Sequence, residues 1–312
     1  MTGLIVLRRL GWTACVLIVV SMLSFGLQEA APGDPARLLL QASGVEFITD
    51  ADVASVRREL GFDRPLPERY LTWLARVLHG DLGSSYLQHD SVLTLFAQRV
   101  PNTALLALCA SMIALMIALP LGMLSAFHKG SWLDRGIQGY VALGGAIPGF
   151  WLALLLILTF ASTLKWLPAF GSPTIRGIIL PAVVLSMQKA VILTRLVRTS
   201  TLDTLGQPWL LTARAKGLPG RILIRRHLLP AVITPVLVVS GLEVANLLTG
   251  AAVVEYVFAW PGIGKLAVDS VLGSDMPMVV AFSLFAGVVF VCINLLVDLL
   301  SAMMDPRMRT KS

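Results

Sequence analysis

Six long apolar stretches restrict what this chain can fold into. They lie at about residues 10–28, 102–127, 137–161, 177–195, 229–254 and 278–303. A helix that crosses a bilayer needs about 20 mostly apolar residues, which each stretch provides. Strands of a membrane barrel would instead alternate over about ten residues, whereas these stretches are continuous. The sequence therefore predicts an all-α integral membrane protein with six transmembrane helices.

Composition excludes the soluble classes. The chain is 56% hydrophobic and only 14% charged, whereas soluble domains have about 45–50% apolar and about 25% charged residues. Disorder is excluded for the same reason. Cys15, Cys109 and Cys292 all lie in apolar stretches, and their spacing fits neither a disulfide framework nor a metal site. We therefore assign the three thiols to packing.

The basic residues are distributed unequally between the two sides of the predicted membrane. With the N-terminus inside, the inner segments carry 14 Lys and Arg residues and the short outer loops carry three. Lys and Arg accumulate in cytoplasmic loops, so both termini are predicted to be cytoplasmic. The net charge of +7 is thus a sign of orientation, and nucleic-acid binding, the other function that it could indicate, is not predicted.

The sequence predicts four regions along the chain. An uncleaved anchor helix over 1–31 precedes a long outer segment over 32–99, and a membrane core over 100–304 precedes a cytoplasmic tail over 305–312. The outer segment contains a capping-box pattern at Thr49–Asp52 and an apolar stripe that stops near Gly80. We therefore expect a small helical subdomain on the outer membrane face.

The inner loop at about 196–228 has the pattern helix, break, helix. Gly217 suits a left-handed position after a helix, and Pro219 prevents the first helix from continuing. The loop is expected to place a short helix across the cytoplasmic face, where it can contact a soluble partner. A basic loop that only fixes the topology is the alternative.

This inner loop resembles the coupling loop, or EAA loop, of permease subunits of ABC importers. Thr212 and Ala213 stand at the two small positions of that pattern, Gly217 matches its glycine, and Leu229-Pro230 match its ending. Leu211 replaces the glutamate of the family pattern, and His227 occupies a position that is usually hydrophobic. The resemblance implies an ATPase-coupling site that comprises Leu211, Thr212, Ala213, Lys216, Gly217 and Leu218.

Further motifs extend the resemblance over nearly the whole chain, to the dipeptide/oligopeptide/nickel branch. They are Pro32-Gly33-Asp34-Pro35, Leu60-Gly61-Phe62-Asp63-Arg64-Pro65, Gly80-Asp81-Leu82-Gly83, Arg99-Val100-Pro101-Asn102-Thr103, Pro148-Gly149-Phe150-Trp151, Ala259-Trp260-Pro261-Gly262 and Asp305-Pro306-Arg307. The branch implies a type I (MetI-like) importer core, here with an added N-terminal helix and an extracytoplasmic helical insertion. It also implies an inner-membrane location and three kinds of partner: a second homologous permease in a heterodimer, two cytoplasmic ATPase subunits and an extracytoplasmic solute-binding protein.

The sequence lacks the motifs of an enzyme. Gly264-Lys265 is the nearest fragment of a phosphate-binding loop, but Leu266 follows it and Ala259 stands at the first glycine position. The four histidines are scattered, which does not predict a metal site. We therefore expect a permease without a cofactor of its own, with ATP and Mg²⁺ bound by the partner subunits.

Ionisable residues within membrane spans are costly and often functional. Lys189, Glu243 and Asp298 lie in the fourth, fifth and sixth stretches, and Asn246 shares a helix face with Glu243. They are candidates for lining the translocation path between two permeases. The alternative is structural pairing, such as Lys189 with Glu243, or a capping contact of Asp298 near the inner surface.

The segment that follows the fifth stretch is apolar and interrupted by Gly and Pro. Trp260, Pro261 and Gly262 are expected to form an outer gate or a contact for the binding protein. The alternative is that Trp260 is an interfacial anchor.

The resemblance implies ATP-driven uptake by alternating access. The short outer connection from Leu164 to Ile178, with Trp166-Leu167-Pro168-Ala169 and Gly171, resembles nickel-type members. The sequence therefore slightly favours nickel or a metal chelate as substrate, with dipeptides or oligopeptides close behind. An ion-coupled secondary transporter is a competing class, which the absence of inverted repeats disfavours.

Overall fold

The computed structural model describes residues 2–30, 34, 36, 37, 40, 47–171 and 173–304. Within these ranges the chain is helical apart from short connections and an isolated bridge between Ser84 and Ser91. The predicted tail 305–312 and most of the Pro32–Pro35 motif lie outside the described residues. The helices are α1 (Thr2–Ala30), α2 (Asp50–Leu60), α3 (Leu66–Leu78), α4 (Val92–Phe127), α5 (Trp132–Ala146), α6 (Gly149–Leu156, continued by the π-helix Ile157–Thr163), α7 (Ile175–Leu205), α8 (Pro208–Ala215), α9 (Gly220–Leu223, continued by the π-helix Ile224–Leu228), α10 (Leu229–Gly250), α11 (Ala252–Val257), α12 (Ile263–Leu272) and α13 (Met276–Met304).

Four continuous helical segments in the described chain are long and apolar enough to cross a membrane. They are Val92–Phe127, Ile175–Leu205, Gly220–Leu248 and Met276–Val297. They confirm the second, fourth, fifth and sixth predicted spans, although the helices extend beyond the apolar stretches. The fifth ends before its predicted limit, because the chain breaks at Ala251 between α10 and α11.

The third apolar stretch is a broken span, not one continuous helix over 137–161. Its arms, Trp132–Ala146 and Gly149–Thr163, meet at an angle of 98°. Ile147 is extended, with φ −80° and ψ 120°, and Pro148 follows it. A residue before proline is disfavoured in the helical region, which explains why the helix stops here.

The predicted count of six spans is not confirmed within the described residues. The bent pair raises the number from four to five when it is counted as one span. Helix α1 is 29 residues long, but its apolar part, Gly11–Leu27, is shorter than the four spans above. Such a length lies at the lower limit for a spanning helix.

The chain divides into two compact units. Met1–Pro101 and Lys265–Val291 form the first, and Asn102–Gly264 with Cys292–Ser312 form the second. In the first unit, α1 packs against α3 through Phe25, whose ring lies 5.6 Å from that of Tyr70 and 5.7 Å from that of Trp73. Tyr70 also shares a 2.8 Å hydrogen bond with Ser21, which fixes the register of the two helices.

The helical elements predicted for the outer segment are present. Thr49 caps α2 in a capping box with Asp52, and the hydrogen bonds from Thr49 lower the pKa of Asp52. Helix α3 ends at Leu78, and Gly80 then takes a left-handed conformation with φ +84°. Helix α4 begins at Val92, within the predicted outer segment, and continues into the second apolar stretch.

The first unit also contains a buried carboxylate. Asp275, at the N-terminus of α13, accepts hydrogen bonds from the Ser85 hydroxyl at 2.5 Å and from the backbone N–H of Tyr86 at 3.1 Å. Burial and the nearby charge of Asp275 raise the pKa of Tyr86. These bonds attach the loop before α4 to the start of α13.

The core of the second unit contains two apolar clusters. One joins α4, α6, α7, α10 and α11 and includes Trp260, and the other joins α4, α7, α8, α9 and α10. Helices α4 and α7 approach closely at Gly122, where a Cβ would lie 2.6 Å from Cβ of Val197. Helix α5 approaches α7 in the same way at Gly144, where a Cβ would lie 2.8 Å from Cγ2 of Val191.

Candidate functional site

The inner loop forms the predicted helix, break and helix. Helix α8 ends at Ala215, and Gly217 is left-handed with φ +76°. Pro219 is extended and precedes α9. The break between α8 and α9 therefore depends on two backbone conformations: a positive φ, which glycine adopts readily, at Gly217, and the negative φ that the proline ring fixes at Pro219.

Helix α8 presents one face to solvent and buries the other. Thr212, Lys216 and Gly217 are exposed, and Leu218 is 36% exposed. Leu210 is fully buried in the second apolar cluster, and the half-buried Ala213 packs against it. The side chain of Leu211 lies outside the described part of the structure. Because Leu210 packs among residues of α4, α7 and α10, a displacement of α8 would be passed to those helices.

The structure pairs two of the four path candidates. Lys189 of α7 forms an ion pair with Glu243 of α10, and the side chains are 16% and 15% exposed. This is the interhelical pairing that the sequence left as an alternative to path lining. Asn246, one turn further along α10, is exposed. The side chain of Asp298 lies outside the described residues, so its predicted role stays a prediction.

The segment around Trp260 is folded into the second unit. Trp260 is 0% exposed, and its Nε1–H donates to the carbonyl oxygen of Asn102 at 3.2 Å. Trp260 is thus a packed side chain in this structure, and its predicted roles in an outer gate, as a contact for the binding protein or as an interfacial anchor stay predictions. Gly171 packs directly on the indole, since a Cβ there would lie 2.8 Å from Cε3.

Hydrogen bonds from α4 hold Pro261 and Ile263, the residues on either side of Gly262. The side-chain amide of Asn102 donates to the carbonyl oxygen of Pro261 at 2.8 Å. The Thr103 hydroxyl accepts from the N–H of Ile263 at 2.9 Å. These bonds tie residues 258–262, here termed the Trp260 loop, to α4. The role of this loop as an outer gate stays a prediction.

Glu255 is a residue that the sequence reasoning missed. It is 0% exposed, and its Oε1 accepts a 2.6 Å hydrogen bond from the Thr103 hydroxyl. Gly262 lies against the carboxylate, since a Cβ there would overlap all three carboxyl atoms. A glutamate within the apolar run Ala251–Trp260 was the available signal, but it fell just beyond the predicted fifth span.

No group of three or more His, Cys, Asp or Glu side chains comes together to hold a metal ion in the part of the chain that the structure describes. The arrangement offers instead an exposed helix anchored in a bundle, an ion pair between two bundle helices and a hydrogen-bonded loop. Such features can transmit movement between helices.

Two family profiles cover most of the chain. Residues 118–310 match the family described as "Binding-protein-dependent transport system inner membrane component". Residues 1–107 match "Binding-prot-dependent transport system membrane comp, N-term".

Curated relatives match over nearly their full length. The chain is 37% identical to the oligopeptide transport system permease protein AppB of Bacillus subtilis, covering 97% of this chain and 98% of the relative. It is 38% identical to the glutathione transport system permease protein GsiC of Pectobacterium atrosepticum, covering 98% of each chain. The probable D,D-dipeptide transport system permease protein DdpB of Escherichia coli is 34% identical, again over 98% of each chain.

A solved structure has the same fold at low sequence identity. An inward-facing structure of the MetNI methionine ABC transporter matches with a TM-score of 0.57 at 18% identity, over 68% of this chain and 97% of that chain. The likeness extends to the helical core of a MetI-like importer permease. With the family match over residues 118–310 and full-length relatives at 34–38% identity, this chain belongs to the inner-membrane permease components of binding-protein-dependent ABC importers, in the dipeptide/oligopeptide group.

Proposed function

We propose that this permease forms half of the translocation path of an importer for small peptides, paired with a second, homologous permease. The observation that carries the proposal is helix α8, which exposes Thr212 and anchors Leu210 in the bundle core. A helix with this arrangement can receive a push from a soluble partner and transmit it to the spans. Family membership supports the same role, because such permeases are components of ABC importers.

The energy for transport comes from two cytoplasmic ATPase subunits, which bind ATP and Mg²⁺. The sequence of this chain contains no complete phosphate-binding loop. Its contribution is the translocation path and helix α8, which couples the path to the ATPases. The excess of Lys and Arg in the inner segments supports cytoplasmic termini. An extracytoplasmic binding protein delivers the substrate to the opposite face.

Peptides are the substrate class that the relatives support. The full-length matches are named for oligopeptide, glutathione and D,D-dipeptide transport. The slight preference for nickel that the short outer connection suggested has no support among these relatives. We therefore place di- and oligopeptides first and a metal chelate second.

Uptake by the reconstituted complex tests this proposal. Proteoliposomes that contain both permeases and the ATPases should accumulate a radiolabelled dipeptide only with internal ATP and the loaded binding protein. Mass spectrometry of ligands bound to the native binding protein would identify the substrate. Uptake that survives ATP depletion would contradict the importer and favour an ion-coupled transporter.

We further propose that the Lys189–Glu243 pair lines the path. Its side chains retain 16% and 15% exposure although both lie in spans, and residues that line a path must keep such exposure. A peptide carries a positive and a negative terminus, which suits a wall that presents both charges. Asn246 on the same helix and Asp298 would extend this polar wall.

Charge reversal of this pair separates the path role from a structural role. Lys189→Glu combined with Glu243→Lys keeps the ion pair, so the complex should assemble, yet it exchanges the charges that face the path. We expect dipeptide uptake to change by about tenfold, the scale on which local charge alters ligand capture. Uptake by proteoliposomes, normalised to assembled complex, measures the effect.

The matched control is the single change Lys189→Leu. Removing one partner of a partly buried pair leaves an uncompensated charge, so assembly should fall. Native uptake by the reversed pair would show that the pair only joins α7 to α10.

A further inference from the structure

A second ion pair lies near the end of α7 that leads to the coupling loop. Arg198 of α7 forms two parallel hydrogen bonds with Asp134 of α5: Nε–H to Oδ1 at 3.0 Å and an Nη2–H to Oδ2 at 2.9 Å. A guanidinium that bonds a carboxylate through two donors fixes both distance and orientation, unlike a single contact. The pair thus sets how α5 sits on α7, two turns before α7 ends at Leu205.

Asp134 also joins the helix that precedes it. The Ser125 hydroxyl of α4 donates to Oδ1 at 2.5 Å, and the N–H of Gly130 in the α4–α5 turn donates to Oδ2 at 2.9 Å. Gly130 is left-handed with φ +83°, which turns its N–H towards the carboxylate. Asp134 is only 5% exposed, so this one carboxylate connects α4, the turn, α5 and α7 in a site largely shielded from water.

The packing on either side shows how closely these helices meet. At Gly122 of α4, a Cβ would lie 2.8 Å from the carbonyl oxygen of Thr194, about one turn before Arg198. Helix α5 is similarly close to α7 at Gly144. Packing at these glycines brings the helices close together but leaves them free to slide or rotate against each other, since it involves no directional bonds. The hydrogen bonds of Asp134 are directional and therefore restrict such movement.

We propose that Asp134 and Arg198 act as positioning residues that make the ends of α4, α5 and α7 move as one body with the coupling helix. This Asp134–Arg198 clamp rests on the proposed function, because it assumes that α8 receives the push from the ATPases. A displacement of α8 reaches α7 through Leu210, which packs in the same cluster as Val197. Arg198, the next residue after Val197, transmits the displacement to α5 and hence to the bent α5–α6 span.

The geometry explains why an ion pair occupies this position instead of an apolar contact. Replacing buried ion pairs by apolar residues is often neutral for stability, so stability alone does not require the pair. A carboxylate that accepts four hydrogen bonds does require one arrangement of its donors, and an α5 displaced from α7 would lose both bonds from Arg198. A movement of α7 without α5 therefore costs the free energy of the hydrogen bonds between Arg198 and Asp134.

The test compares transport with ATP hydrolysis in the complete complex. Arg198→Ala is measured in proteoliposomes with radiolabelled dialanine as the probe, and ATP hydrolysis is recorded in the same preparation. We expect uptake per ATP hydrolysed to fall about tenfold, within the usual range of coupling between sites. Arg198→Lys keeps the charge and loses the two-donor geometry, so its ratio should be intermediate.

Arg195→Ala is the matched control, because Arg195 is an exposed arginine one turn earlier on α7. Its ratio should equal the native one. A native ratio in Arg198→Ala, or uptake and hydrolysis that fall in equal proportion, would overturn the clamp. If Arg198→Ala does not assemble, the same criteria apply to Arg198→Lys and to Ser125→Ala.

A distance measurement distinguishes failure of the clamp from failure of the proposed function. Spin labels at the exposed positions 135 and 199 report on α5 and α7 in a chain whose three cysteines are replaced. The label distance should stay constant between the nucleotide-free and ATP-trapped native complex, and change in Arg198→Ala. An unchanged distance in Arg198→Ala overturns the clamp, whereas absent uptake by the native complex overturns the importer.

Discussion

Replacing Gly217 by proline is expected to reduce uptake about tenfold or more while the ATPases continue to hydrolyse ATP. Gly217 has φ +76°, and proline is restricted to φ near −65°. The break between α8 and α9 can then no longer form as it does here. Helix α8 would meet its partner in a different orientation, and the push would not reach Leu210. Proteoliposome uptake and ATP hydrolysis, measured together, give the result.

Two glycine variants serve as controls for this effect. Gly217→Ala adds only the cost of a left-handed alanine, about 1–2 kcal/mol, and should give a milder loss. Gly220→Ala adds a Cβ that meets nothing within 4 Å at a residue without a positive φ, so uptake should be native. Native uptake in Gly217→Pro would show that this loop does not couple ATP hydrolysis to transport.

Local patterns allowed much of the fold to be predicted from the sequence. The capping box at Thr49, the break at Gly217 and the apolar lengths of four spans depend on residues close together in the chain. Each of these signals has a direct backbone consequence: a satisfied N–H, a positive φ or a helix long enough to cross a bilayer. The ion pair between Lys189 and Glu243 was one of two alternatives that the sequence left open, since few charges lie within the spans.

Features that depend on distant residues could not be predicted in this way. Pro148 allowed a bend, but whether the third stretch continued straight or turned through 98° depends on how the arms pack on α7. Glu255 becomes informative only when Thr103, 152 positions earlier, meets its carboxylate. Asp134 is similar: in sequence it is one charge at a helix start, and only the fold brings Arg198 to it.

Replacing Glu255 by alanine is expected to destabilise the permease by about 2–3 kcal/mol, the upper part of the usual scale for leaving a buried donor without its acceptor. The change removes the acceptor of the Thr103 hydroxyl and empties the space beneath Gly262. The bond from α4 to Glu255 would be lost, whereas the Asn102 bonds to the Trp260 loop would remain. Thermal denaturation of the purified complex in detergent should show a lower midpoint.

A second variant tests whether the loss arises at this contact. Gly262→Ala should be destabilising by itself, because its Cβ would overlap Oε2 of Glu255. In the Glu255→Ala background the carboxylate is absent, so the same change should cost much less. The two residues are in direct contact, and such pairs give non-additive free energies.

Val253→Ala provides the reference for a general effect of shortening side chains in α11, since Val253 is 56% exposed. Its denaturation midpoint should stay near the native value. Additive losses from Gly262→Ala and Glu255→Ala would contradict a direct contact between them. If the coupling holds, uptake by Glu255→Ala complexes that remain folded tests the predicted role of the Trp260 loop as an outer gate. A gate that loses its packing on the Glu255 carboxylate should leak substrate or fail to close, and either defect lowers accumulation per ATP hydrolysed.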